Sequence, residues 1–431
     1  MSNVDAARLQ MAYSLAFHMI FAALGVGMPL LMFIAEGLWL KTRNEQYLRL
    51  AKTWAKATGI LFAIGAVSGT GLSFEMGLLW PKFMGFAGAT IGPAFALEGF
   101  AFFLEAIFLG LYLYGWDRLK PVAHWLSGLV VALSGATSSA LVVASNAWMQ
   151  NPIGVDVLKT NPEAMDAVGA LFRNPTWGIM TIHSTLSTYA ATGFAVAGVY
   201  AWNALRGRID TMRQKAIKIA LAVGSLAALA MPATGDISAR AVAHSQPAKL
   251  AAMEAQFTTE RRAPLRIGGI PNTATQQVPF AIEIPGGLSF LAFSDVNAEI
   301  KGLDQVPRAD WPMVPLVHIS FQLMVGAGVL MLLVALVYWW LRHRRGEEGL
   351  IHSAWPMRML VLASPLGFMA LETGWIVSEV GRQPWIIAGV MRTAEAVTPA
   401  PGIMTTLALF LTLYTLLAVV LAGLLRRIRH A

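Results

Sequence analysis

The sequence predicts an all-α, polytopic membrane protein of about nine transmembrane helices, with a long extracytoplasmic loop between the sixth and seventh. Three observations carry this reading. Of 431 residues, 56% are hydrophobic and only 13% charged, against about 25% charged in a soluble domain. Apolar stretches long enough to cross a hydrocarbon core of about 30 Å recur along the chain. The basic residues gather in alternate connections, as the positive-inside rule requires of a multi-pass chain.

The spans fall near 9–38, 53–77, 91–114, 122–147, 178–204, 216–234, 312–341, 357–379 and 402–425. The first follows a short polar start, is too long for a signal-peptide core and has no small-residue cleavage site behind it, so it reads as retained. Lys41, Arg43, Arg49 and Lys52 follow span one, and Arg206, Arg208, Arg213, Lys215 and Lys218 follow span five. Arg342, Arg344 and Arg345 follow span seven, and Arg426, Arg427 and Arg429 follow span nine. These connections and the C-terminus are expected on the cytoplasmic side, with the N-terminus and residues 235–311 outside. The chain then divides into helices one to six (1–234), the outer loop (235–311) and helices seven to nine (312–431). Topology accounts for the net charge of +8, so no nucleic-acid partner is called for. The absence of cysteine excludes iron–sulfur clusters, thiolate-held metals, covalently attached c-type haem and disulfides. Any redox chemistry therefore uses noncovalent cofactors held by His, Met or carboxylates.

The outer loop mixes Gly, Pro and Thr-rich segments with one short amphipathic pattern. Over Ala248–Phe257, Leu250, Met253 and Phe257 fall at helical spacing, with Lys249 and Glu254 on other faces. Its length suits either an ordinary connection or a lid or binding segment.

Ionisable side chains inside spans are costly and are the natural place to look for chemistry. His18 stands in YSLAFHMIF, His183 in GIMTIHSTLSTYAATGF and Met324 in SFQLMVGAGVL. A lone histidine serves as a hydrogen-bonded structural residue as readily as a ligand, and a lone methionine is ordinarily core. Small neighbours (Ser184, Ser187, Thr188, Ala190, Gly326, Gly328) leave room for something large. A His–Met pair suits a six-coordinate low-spin haem, and a single His with an open face suits a high-spin one. Glu98 and Glu105, seven residues apart, share nearly one helix face. Paired acids there read as a proton relay, as groups near a buried cation, or as a neutral packing pair. Glu75, Glu372, Glu379 and Asn146 complete the polar set.

Together, RLQMAYSLAFHMIF, ALEGFAFFLEAIFLGLYLYGWDRL, SNAWMQNP, IHSTLSTYAATG, KLAAMEAQF and ETGWIVSEVGRQPW resemble subunit I of the cytochrome bd-type quinol oxidases over essentially the whole chain. The resemblance implies a bacterial inner-membrane quinol:oxygen oxidoreductase with three haems: a low-spin haem b, a high-spin haem b, and a haem d or further haem b. It implies a second membrane subunit, a small single-helix accessory subunit, quinol and O2 as partners. By resemblance His18 is the axial ligand of the oxygen-binding haem, Glu379 of the second high-spin haem, and His183 and Met324 of the low-spin haem. Lys249 and Glu254 match the quinol-contacting pair of the Q-loop. Glu98 and Glu105 lie on a cytoplasmic proton path with Ser138 and Asn146, Trp375 between haems, and Arg382 near propionates. In one departure, Gln322 stands where the family carries an arginine, removing a fixed charge near the low-spin haem. The short stretch before span seven resembles the short-Q-loop class and the cyanide-insensitive branch. Two rivals explain fewer of these residues: a haem-free transporter, and a haem protein that passes quinol electrons to another acceptor.

Overall fold

The computed structural model describes residues 2–430, without the side chains of Glu348 and of residues 425–430. Arg426, Arg427 and Arg429, expected to mark a cytoplasmic end, therefore lie outside the described side chains. The chain opens with four long helices, α1 (Asn3–Thr42), α2 (Glu45–Leu79), α3 (Pro81–Tyr114) and α4 (Pro121–Gln150). The short α5 (Val155–Thr160) and α6 (Ala167–Phe172) lead to α7 (Trp177–Leu205) and α8 (Thr211–Ser245). The outer loop holds α9 (Pro247–Met253) and α10 (Gly287–Phe293). Then come α11 (Val314–Ile351), α12 (Ala354–Ala363), α13 (Leu366–Val380), α14 (Thr393–Ala396) and α15 (Ile403–His430). Local chemistry sets the helix starts. Ser2 and Asp5 form a capping box on α1, Asn44 caps α2, and Pro81 and Pro121 occupy first turns, where their missing N–H is not needed.

Among the described residues, eight helical segments are long and apolar enough to cross a membrane, α12 and α13 counting as one. The sequence predicts about nine spans, and the further one, 178–204, is present as the 29-residue α7 but falls outside the eight. Its hydroxyl-rich first half lowers its hydropathy, although Ser184, Ser187 and Thr188 each donate to a carbonyl of their own helix. α8 runs to Ser245, past the predicted end at 234, so the first part of the expected loop is helix.

Small residues let these helices approach closely. A Cβ on Gly193 of α7 would stand 2.6 Å from backbone atoms of Ala220 and Gly224 on α8. One on Gly367 of α13 would stand 2.3 Å from Cα of Ala191. α7, α8, α11 and α13 thus form a ring in which each packs on the next. Large apolar side chains such as Phe74, Phe100, Phe103 and Leu362 face outward, as a lipid-facing surface requires.

The outer loop folds on itself through two small antiparallel ladders. β1 (Glu260–Arg261) pairs with β4 (Glu299–Ile300), and β2 (Leu265–Ile267) pairs with β3 (Ile282–Ile284), Leu265 opposite Ile284. A third, β5 (Trp385–Ile387) with β6 (Met391–Arg392), follows α13. The predicted helical pattern at 248–257 appears as α9, with Leu250, Met253 and Phe257 buried. Lys249 and Glu254 were expected on other faces, yet both are buried too, at 6% and 4% exposure.

Candidate functional site

Two of the chain's histidines are built in the same way. His18 Nδ1 lies 3.0 Å from Ser68 Oγ on α2, and His183 Nδ1 lies 3.0 Å from Thr234 Oγ1 on α8. Each hydroxyl already donates to its own helix: Ser68 to the Ile64 carbonyl at 3.0 Å, Thr234 to that of Met231 at 3.2 Å. The hydroxyl oxygen can then only accept, so Nδ1 carries the hydrogen and Nε2 keeps its lone pair. Nε2 of neither ring makes a hydrogen bond among the described residues. This is how a metal-ligating imidazole is usually held. His124 and His318 differ, because both nitrogens of each are engaged. His124 meets Glu36 and the Tyr112 carbonyl, and His318 meets the carbonyls of Met253 and Gly268.

Met324 and His183 belong to the ring of α7, α8, α11 and α13. Met324 Sδ would lie 3.0 Å from a Cβ on Gly374 of α13, so the glycine clears its sulfur. Trp375, next along α13, packs with Met19, Ala23 and Leu371, beside the turn of α1 that carries His18. Glu379 ends α13. Its Oε1 accepts from Asn146 Nδ2 of α4, and its Oε2 from Arg382 Nη2 at 2.5 Å. Nε and Nη1 of Arg382 are buried without a partner among the described residues, a guanidinium prepared for a further anion. A carboxylate, two imidazoles with free Nε2 and a thioether facing glycine are a donor set that fits axial ligation of haem, with Arg382 suited to a propionate. Among the described residues no three His, Asp or Glu side chains converge as a bare-ion site.

Lys249 joins the same end of the bundle. Its Nζ donates to Gln150 Oε1, while Gln150 Nε2 donates to the Ser378 carbonyl at 3.0 Å. Burial pushes the Lys249 ammonium down to about 7, helped by the Arg382 charge and opposed by Glu379. A cleft of about 490 Å³ opens here, lined by Gln150, Lys249, Lys301, Asp310, Arg382 and Trp385 among others. Glu254 does not line it, so the two Q-loop residues that the sequence paired face different surroundings. Glu254 lies toward Arg266, and its Oε2 is buried with no partner among the described residues. Burial raises its carboxyl to about 7, against the opposing charge of Arg266.

The acids of α3 face α4. Glu98 Oε1 accepts from Ser138 Oγ at 3.1 Å. The Glu105 carboxylate lies 3.4 Å from where a Cβ on Gly135 would be, so a glycine makes its space. Asn146 meets Glu379 and not these acids. Gln322 turns away from an arginine's role: its amide bonds the backbone of Arg266 and Gly268 in the outer loop. Sequence reasoning missed Gln150, Arg266 and His318. Only the polarity of Gln150 and His318 beside apolar runs could have pointed to them.

Comparison with known proteins places the chain in a family. Residues 6–431 match the family of the cytochrome bd terminal oxidase subunit I. The chain is 34% identical over 423 residues to the putative cytochrome bd menaquinol oxidase subunit I of Bacillus subtilis, covering 97% of this chain and 94% of that one. It is 33% identical to cytochrome bd ubiquinol oxidase subunit 1 of the same organism, covering 99% and 93%. It is 28% identical to the cytochrome bd-II ubiquinol oxidase subunit 1 of Escherichia coli, covering 96% and 93%. The solved structure of bd oxidase from Geobacillus thermodenitrificans superposes with a TM-score of 0.93 at 35% identity, covering 99% of this chain and 98% of that one. With a match over nearly its whole length, the chain belongs to the cytochrome bd terminal oxidase subunit I family.

Proposed function

We propose that this chain is the haem-bearing, quinol-oxidising subunit of a bacterial inner-membrane terminal oxidase. Two quinols give up four electrons and four protons at the outer face, and O2 takes four electrons and four cytoplasmic protons to form two waters. The observation that carries the reading is the pair of intramembrane histidines, His18 and His183, each fixed through Nδ1 with Nε2 left free. The relatives named as menaquinol and ubiquinol oxidases support the substrate class.

His18, Glu379, and His183 with Met324 would hold three haems: two high-spin, one of them haem b and the oxygen-binding one haem d or b, and one low-spin haem b. Bound haem supplies electron transfer and oxygen binding. The chain's own groups manage the protons. Glu254, a carboxyl poised near neutral pH, accepts the quinol proton, since a base works best with a proton affinity near the operating pH. Lys249 holds the outer end of the site through Gln150, and Arg382 would pair with a haem propionate. Glu98, steadied by Ser138, and Glu105 hold protons arriving from the cytoplasmic side. Taking protons from one side and releasing them on the other makes a proton motive force without pumping. A second membrane subunit and a small single-helix subunit complete the complex.

The reduced-minus-oxidised spectrum of the purified complex tests this. Three haems, with carbon monoxide shifting the high-spin bands, are expected. A single low-spin haem returns the chain to electron transfer with another acceptor, and no haem returns it to transport.

A further inference from the structure

Glu254 follows α9 on a strained turn. Ala255, with no glycine's freedom, has φ +50°, a conformation that surrounding contacts must maintain. Those contacts begin on α11, where His318 and Gln322 lie four residues apart and so share a face. Gln322 engages the β2 end of the loop as a neighbouring strand would: Nε2 donates to the Arg266 carbonyl at 2.9 Å, and Oε1 accepts from the Gly268 N–H at 3.0 Å. His318, fully buried, has Nδ1 2.7 Å from the Met253 carbonyl oxygen and Nε2 3.0 Å from the Gly268 carbonyl oxygen. The Met253 carbonyl belongs to the residue just before Glu254.

Arg266 closes the circuit. Its Nη1 donates to Gln256 Oε1 at 2.7 Å and to the Ala255 carbonyl at 3.3 Å, while Nε pairs with Glu283 at 2.9 Å. The segment 253–256 is thus held from both directions, by His318 directly and by Gln322 through the strand that carries Arg266. The chain reverses immediately afterwards at Gly268 and Gly269, with φ of +70° and +90°. A Cβ on Gly269 would also lie 2.7 Å from Val278. Within the clamp stands the buried Oε2 of Glu254, which has no partner among the described residues.

We propose that His318 and Gln322 are positioning residues for quinol oxidation, clamping the loop backbone to α11 so that Glu254 is held where a quinol hydroxyl meets it. The inference rests on the reading of Glu254 as the quinol's proton acceptor. Neither residue touches the substrate. A residue that acts through another should lower the quinol reaction while sparing electron entry that bypasses Glu254.

The test uses the haem-loaded complex with Gln322→Met, which keeps bulk without hydrogen bonds, and His318→Gln, which can donate to only one side. Expected are a tenfold or greater fall in kcat/KM for quinol, turnover with an artificial one-electron donor within twofold of wild type, and an unmoved low-spin haem band. Hydrogen exchange over 254–269 should accelerate at least tenfold. Quinol kcat/KM within twofold of wild type in both variants overturns the clamp, as does equal loss with both donors. Glu254→Gln separates the two readings: full quinol turnover there removes the role of Glu254, whereas loss there with intact clamp variants removes only the clamp. The double variant Glu254→Gln, Gln322→Met should match Glu254→Gln alone within twofold, and multiplied losses overturn action through Glu254. Should either clamp variant fail to assemble, Gln322→Glu, which keeps the acceptor and loses the donor, carries the same expectations.

Discussion

Replacing Glu254 by Gln should make the folded complex more stable and less active, with a stability gain that depends on pH. The carboxyl is 4% exposed and held at about 7 in place of an ordinary 4.5. The folded chain therefore keeps its proton more tightly than the unfolded chain. Stability contributed by this site is fully present below about 4.5 and is lost as pH rises through about 7. At about 1.4 kcal/mol per pH unit, the loss reaches about 3 kcal/mol at pH 8, and about 1 kcal/mol has already gone at pH 5. Glutamine has the same shape and no charge to bury, so it escapes this loss. Relative to the wild type, Glu254→Gln should gain about 2 kcal/mol more at pH 8 than at pH 5, a few degrees in Tm for a chain of this size. Paired thermal melts of the two complexes across pH 5 to 8 measure this, because titrations elsewhere are common to both and cancel. A Tm difference that stays constant over that range would refute the burial argument. A fall in quinol oxidation should accompany the gain.

Met324→Leu should abolish the low-spin haem band, or turn that haem high-spin, while carbon monoxide binding at the other haems persists; absorption spectra with and without carbon monoxide check both. Gly193→Ala should cost about 1–3 kcal/mol, because the new methyl meets backbone atoms at 2.6 Å that cannot rotate aside. A lowered melting temperature of the complex would report it, and an unchanged one would mean that α7 and α8 sit further apart.

The spans were legible because apolar runs of membrane length leave few alternatives, and because the basic clusters sit beside them. Most ligand candidates were legible for a related reason: a His or Glu inside such a run stands out, whereas Met324, one of 21 methionines, gained weight only from its small neighbours and the family resemblance. What stayed hidden depends on contacts between distant positions. Lys249 reads as one polar face of a surface helix, yet it is buried because Gln150, 99 residues away, receives its ammonium. His318 looks like any polar residue at a helix start until the loop carbonyls of Met253 and Gly268 arrive at its two nitrogens. α7 was read as an apolar stretch at 178–204, although the hydroxyl groups of its first half lower its hydropathy and it falls outside the eight apolar segments. The small ladders of the loop have two or three residues per strand, too short for any alternation to register.

The hydroxyls behind His18 and His183 have a consequence for inheritance. Ser68 is 50 positions from His18, and Thr234 is 51 from His183, yet each decides which ring nitrogen keeps the lone pair that the proposed ligation would use. Each proposed ligand is therefore a two-residue unit spread over two helices, its lone pair set by a hydroxyl on the neighbouring helix. A change to alanine at Ser68 or Thr234 would leave the histidine in place and remove the contact that fixes its Nδ1. A slide of α2 along α1, or of α8 along α7, would act in the same way, so the packing of those helix pairs belongs to the chemistry as much as the histidines do.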